Sequence, residues 1–82
     1  MSDVGNGLVM VTGDPVRDMP RWNLMDGDRM VGWIRLLRKG DYALRATVGP
    51  MRISMWHPDR DALARDFARE RAALLALDGF AE

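Results

Sequence analysis

Residues 42–56 read YALRATVGPMRISMW. On both sides of Gly49-Pro50, apolar side chains alternate with polar ones, the pattern of two half-buried strands joined by a tight turn. Antiparallel pairing across a two-residue turn sets Ala46 beside Ile53 and Leu44 beside Met55, so one face is apolar. The other face receives Arg45, Thr47, Arg52, Ser54 and Trp56. A slip of one residue exchanges the two faces, so burial of the apolar set pins the register.

The same logic extends toward the N-terminus. Residues 29–37 read as a strand, and Arg38-Lys39-Gly40 reads as a three-residue turn in which Gly40 supplies a positive φ. That register places Ile34 and Leu36 beside Leu44 and Tyr42, and it adds Trp33 and Arg35 to the polar-bearing face. The candidate binding residues are therefore Trp33, Arg35, Arg45, Thr47, Arg52, Ser54 and Trp56. Trp and Arg are the side chains most enriched where binding energy concentrates. Arginine stems lying over tryptophan rings also stabilise an ordinary solvated surface, and both readings stay open. Residues 21–25 form an earlier strand closed by Asp26-Gly27-Asp28. A three-residue turn there puts Trp22 and Leu24 on the apolar face, whereas a two-residue turn puts them beside Trp33; the register of this hairpin stays open.

From Pro58 the apolar period changes from two to 3.6. Pro58 suits the first helical position, His57 the cap, and Asp59 and Asp61 a first turn where the helix dipole favours negative charge. The helix is expected to reach Leu77 and to stop at Asp78-Gly79, with Gly79 as C-terminal cap. Leu63, Phe67, Leu74 and Leu77 line one stripe, with Glu70 near its centre and so directed at the sheet, snorkelling past its edge or paired with Arg71 or a strand arginine. The expected fold is a small α+β domain over residues 21–82. Its antiparallel sheet has three to four strands, and one C-terminal helix packs on one face. Residues 1–20 are expected to form a partly ordered arm in which only residues 7–12 resemble a strand.

With 82 residues the chain supports one domain and a thin core. No apolar run approaches the ~20 residues that span a bilayer, and no charged-then-apolar leader opens the chain, so a soluble, cytoplasmic protein is expected. The absence of cysteine removes disulfides, thiolate chemistry and cysteine-ligated zinc. Twelve basic residues balance twelve acidic ones, which counts against a dedicated nucleic-acid binder. The charge is segregated, however: residues 29–52 hold six basic residues and the single acid Asp41.

Catalytic readings fail for want of parts. His57 is the only histidine, and a strand-to-helix junction gives Ser54, His57 and Asp59 no reason to form a triad. Asp26 and Asp28 lack the further oxygen ligands of a calcium loop. Gly5-Asn6-Gly7 lacks the strand-to-helix context of a phosphate-binding loop. Met51 and Met55 alternate with Arg52 and Ser54 and read as core fillers. No catalysis, cofactor, metal, membrane or small-molecule substrate is expected.

Residues 33–69, with Gly40-Asp41-Tyr42-Ala43-Leu44-Arg45, then Gly49-Pro50-Met51-Arg52-Ile53-Ser54, then the helix opened by Pro58, resemble the three-strand-plus-helix DNA-binding domains of phage integrase arms and plant AP2 factors. Those families lay an exposed sheet in the DNA major groove. The resemblance implies that Trp33, Arg35, Arg45, Arg52 and Trp56 contact DNA. It covers roughly half the chain and rests on element order rather than a diagnostic motif; the helix and the arm are acidic, and the strands carry fewer basic residues than those families show. The function expected from the whole sequence is a small protein-binding adaptor or inhibitor of the phage or mobile-element type, gripping another protein or a second copy of itself. The alternative is a sequence-specific or structural DNA-binding domain using the same face.

Overall fold

The computed structural model describes residues 1–77. Strands β1 (Ser2–Gly5), β2 (Leu8–Thr12), β3 (Arg21–Asp26), β4 (Arg29–Leu36), β5 (Tyr42–Val48) and β6 (Met51–His57) precede one helix, α1 (Arg60–Leu75). Each strand pairs antiparallel with the next, giving a single meander in the order β1 to β6. The α+β class and the C-terminal helix agree with expectation. The strand count does not: the sheet has six strands rather than three to four.

The two additional strands come from the segment expected as a partly ordered arm. Gly5 pairs with Leu8, which leaves Asn6-Gly7 as a two-residue connection. Both residues take positive φ, 53° and 81°, the conformation that twists in the same sense as the flanking strands and that Asn-Gly adopts at little cost. The resulting hairpin is anchored because Val4, Leu8 and Met10 are buried in the common core.

The central register is the one read from alternation. Ile34 pairs with Leu44, Leu36 with Tyr42, Leu44 with Met55 and Ala46 with Ile53. Gly40, at φ +95°, closes the β4–β5 turn, and the Leu37 N–H donates to the Asp41 carbonyl across it at 2.7 Å. The open hairpin resolves in a way neither alternative contained. Asp26 pairs with Arg29, so the turn has two residues, yet Leu24 pairs with Gly32 and Met25 with Met30. Val31 is thus an extra residue on β4, and this bulge restores the phase. Trp22 and Leu24 therefore lie on the core side. Gly32 sits where β4 and β5 approach closely, and a Cβ there would meet the Ala46 Cβ at 2.7 Å and the Arg45 carbonyl oxygen at 3.0 Å.

Helix α1 begins later than Pro58 because the cap is Asp59, whose carboxylate accepts the Ala62 N–H at 3.0 Å. His57 ends β6 instead, its Nδ1 accepting the Asp59 N–H at 2.8 Å. The Ala62 hydrogen bond holds the Asp59 carboxyl below the ordinary aspartate pKa. A depressed folded-state pKa contributes stability above the ordinary carboxylate range and loses it as pH falls through the lowered value. The Ala62 amide resonance is accordingly expected to titrate below the ordinary aspartate value in an acid NMR titration; a midpoint at or above that value contradicts the cap. At the other end α1 stops at Leu75, with Ala76 as cap. Leu77 is exposed rather than part of the stripe, and Gly79 lies outside the described residues.

Phase along the helix supplies a further correction. The buried residues of α1 are Leu63, Ala64, Phe67, Ala68 and Arg71, whereas Glu70 is exposed. Two alanines beside Leu63 and Phe67 widen the stripe toward its C-terminal flank, which turns Glu70 out and Arg71 in. The Arg71 guanidinium donates to Asp26 Oδ2 at 3.0 Å, tying the helix to the β3–β4 turn. Helix α1 packs against β1 as well as β5 and β6, so it touches both edge strands of the sheet. Leu24, Val31, Ile34, Leu44 and Val48 close the core around Phe67.

Candidate functional site

Helix α1 covers one face of the sheet and leaves the other uncovered. All seven candidate residues lie on that uncovered, outer face, because each occupies the register position opposite to the core residues. Trp33, Arg45 and Ser54 form one row across β4, β5 and β6; Arg35, Ala43 and Trp56 form a second, and Thr47 with Arg52 a third. Arg35, Arg45, Thr47, Arg52, Ser54 and Trp56 are exposed, and Trp33 is half-buried.

Trp33 is half-buried because arginines cover it. The Arg21 guanidinium carbon stands 4.8 Å from the ring centroid and that of Arg35 5.8 Å. This arrangement stabilises the ring as a cation–π stack and removes it from direct reach. Trp56 remains the open aromatic at 56 % exposure, with Lys39 Nζ 5.6 Å from its ring. Trp33, Arg45, Thr47, Arg52 and Ser54 also line a shallow depression of about 280 Å³. Five of the seven candidates thus share one concavity, with Arg35 and Trp56 at its flank.

Three further contributors were missed by the sequence reading. Arg21 and Asn23 continue the outer rows onto β3, opposite Arg35 and Trp33; the unresolved hairpin register concealed them. Arg17 lies in the Val16–Met19 turn at φ 53°, where it joins Arg35 and Arg38 around a second groove of about 510 Å³. No periodicity in residues 13–20 announced that turn.

Charge on this face is one-sided. Among the described residues, the ion pairs Arg60–Asp61, Arg69–Asp66 and Arg71–Asp26 lie off the outer rows, and the Lys39–Asp41 pair borders them, with Lys39 against the Trp56 ring. The outer positions of β3 to β6 carry Arg21, Arg35, Arg45 and Arg52 and no carboxylate. Toward β2 the same face turns apolar, with Val9 and Val11 opposite Met25 and Asn23 and Met30 48 % exposed.

Ser54 faces outward, His57 is three residues away and faces the helix side, and its Nδ1 is occupied by the Asp59 N–H. Among the described residues no cluster of three His, Cys, Asp or Glu side chains is placed to hold a metal ion, and no helix is long and apolar enough to cross a membrane. No family model, curated protein or solved structure matches the chain.

Proposed function

We propose that the chain is a non-catalytic binding module that uses the outer sheet face to hold an acidic patch on a partner protein. The observation that carries this reading is the set of exposed arginines 35, 45 and 52 beside the open Trp56 ring, with no carboxylate at the outer strand positions of β3 to β6; Asp41, just before β5, is paired with Lys39 at 3.6 Å. Four apolar side chains, Val9, Val11, Met25 and Met30, continue the same surface. A protein partner buries such side chains, whereas a phosphate backbone offers them nothing, and this favours protein over nucleic acid.

The test is a capture experiment from the native host. Wild-type protein and a helix-face control carrying Arg65→Ala and Arg69→Ala should retain the same partner, and the variant carrying Arg35→Ala, Arg45→Ala and Arg52→Ala should lose it. Retention by the triple variant overturns the reading. A second reading, DNA binding, is favoured by the missing carboxylates alone. It requires duplex DNA affinity to fall with salt at a log–log slope of about −0.9 per phosphate contact. Absence of detectable duplex binding at low salt removes it.

A further inference from the structure

The two edges of the sheet differ in a way that bears on assembly. At one edge, β1 has four residues, a register shift between Asp3 and Gly5, and Gly5 at φ +94°. Short length and a bulge are the devices by which edge strands are kept from pairing with another chain. At the other edge, β6 has none of them. It runs seven residues in unbroken register from Tyr42–His57 to Val48–Met51 and contains no proline, glycine or lysine. Two of the exposed large hydrophobic residues, Met51 at 45 % and Trp56 at 56 %, lie on this strand.

We propose that β6 is a self-pairing edge: two copies of the chain join antiparallel along it, about a two-fold axis at Ser54, into one continuous sheet. Opposite residues in an antiparallel pair point to the same face, so the pattern of β6 can be tested against its own reverse. Centred on Ser54, the pairing sets Arg52 opposite Trp56 of the second copy on the outer face, which is a favourable cation–π contact. On the helix face it sets Ile53 opposite Met55, and Met51 opposite His57, of the second copy. All seven residues of β6 are used, and no arginine meets an arginine. Centring on Arg52 instead would oppose two like charges and leave the C-terminal part of the strand without a partner, which disfavours that register.

The closed two-fold arrangement consumes both open edges and leaves only the blunted β1 edges outside, so it stops at a dimer instead of growing. It also completes the outer face: the aromatic edge of one copy abuts the cationic edge of the other, and the two arginine surfaces become coplanar.

The test uses the intact chain alone. Light scattering coupled to gel filtration should give about twice the chain mass of 9.3 kDa at sub-millimolar concentration, falling toward 9.3 kDa on dilution to micromolar. Ser54→Glu, which brings two carboxylates together at the axis, should remain at the monomer mass over the same range with an unchanged far-ultraviolet circular dichroism spectrum. Because the chain has no cysteine, Ser54→Cys introduces a single thiol at the axis, and mild oxidation should give a disulfide-linked dimer that the exposed helix control Ala73→Cys does not form. A wild-type chain that stays monomeric throughout, a dimer that survives Ser54→Glu, or equal cross-linking of the two cysteine variants overturns the proposal. Loss of a partner in the capture experiment leaves these outcomes unaffected, so the two readings fail separately.

Discussion

Phe67→Ala is expected to lower the unfolding free energy by about 3–5 kcal/mol, the usual cost of emptying a fully buried phenylalanine site. Phe67 has no exposed surface and is the largest fully buried side chain of the core. It belongs to one buried cluster with Val4 of β1, Leu24 of β3 and Leu44 and Val48 of β5, and α1 is held against β1, β5 and β6, which limits its collapse into the gap. Against the ~5–15 kcal/mol available to a domain, the loss takes a third or more of the total. Arg45→Ala, on the exposed face, should stay within about 0.5 kcal/mol of wild type. Urea denaturation of both variants checks the pair, and the reverse ranking shows that the faces are assigned backwards.

The second large effect concerns binding. Glutamate at positions 35, 45 and 52 together should weaken the partner complex at least about a hundredfold while leaving the fold intact. Isolated exposed ion pairs contribute only about 0.2–1 kcal/mol, but close charge pairs within an interface couple by about 1.5–7 kcal/mol, so reversal at three positions exceeds the ~2.7 kcal/mol that a hundredfold change requires. The fold tolerates the change because all three side chains are exposed and Arg21 still covers Trp33. Titration calorimetry with the captured partner measures the affinity, and circular dichroism the fold. A loss smaller than about threefold removes the arginines from the interface.

The central strands were legible because two constraints agreed there: strict alternation and turns of defined length fix both face and register, as the Leu36–Tyr42 and Ala46–Ile53 pairs demonstrate. The first hairpin was equally signalled by Asn6-Gly7, but its strands are short and one of them carries Ser2 and Asp3, so alternation was too brief to be counted. The β3–β4 register was not legible, because a bulge at Val31 adds a residue that no pattern marks. Helix phase failed by a single residue for a related reason: alanine reads as neutral in a hydrophobic stripe, and Ala64 and Ala68 decided which of Glu70 and Arg71 turned inward. All seven candidate site residues were legible as one face. Their local environment was not, since the cover over Trp33 comes from Arg21, on the strand whose register was open.

The claim that the outer face is the contact surface is tested most directly by amide chemical-shift mapping of the labelled chain as the captured partner is added. The largest perturbations are predicted at residues 33, 35, 45, 47, 52, 54 and 56, with α1 left unchanged beyond its first turn. Perturbations concentrated along α1, with the β4–β6 rows unmoved, would contradict it.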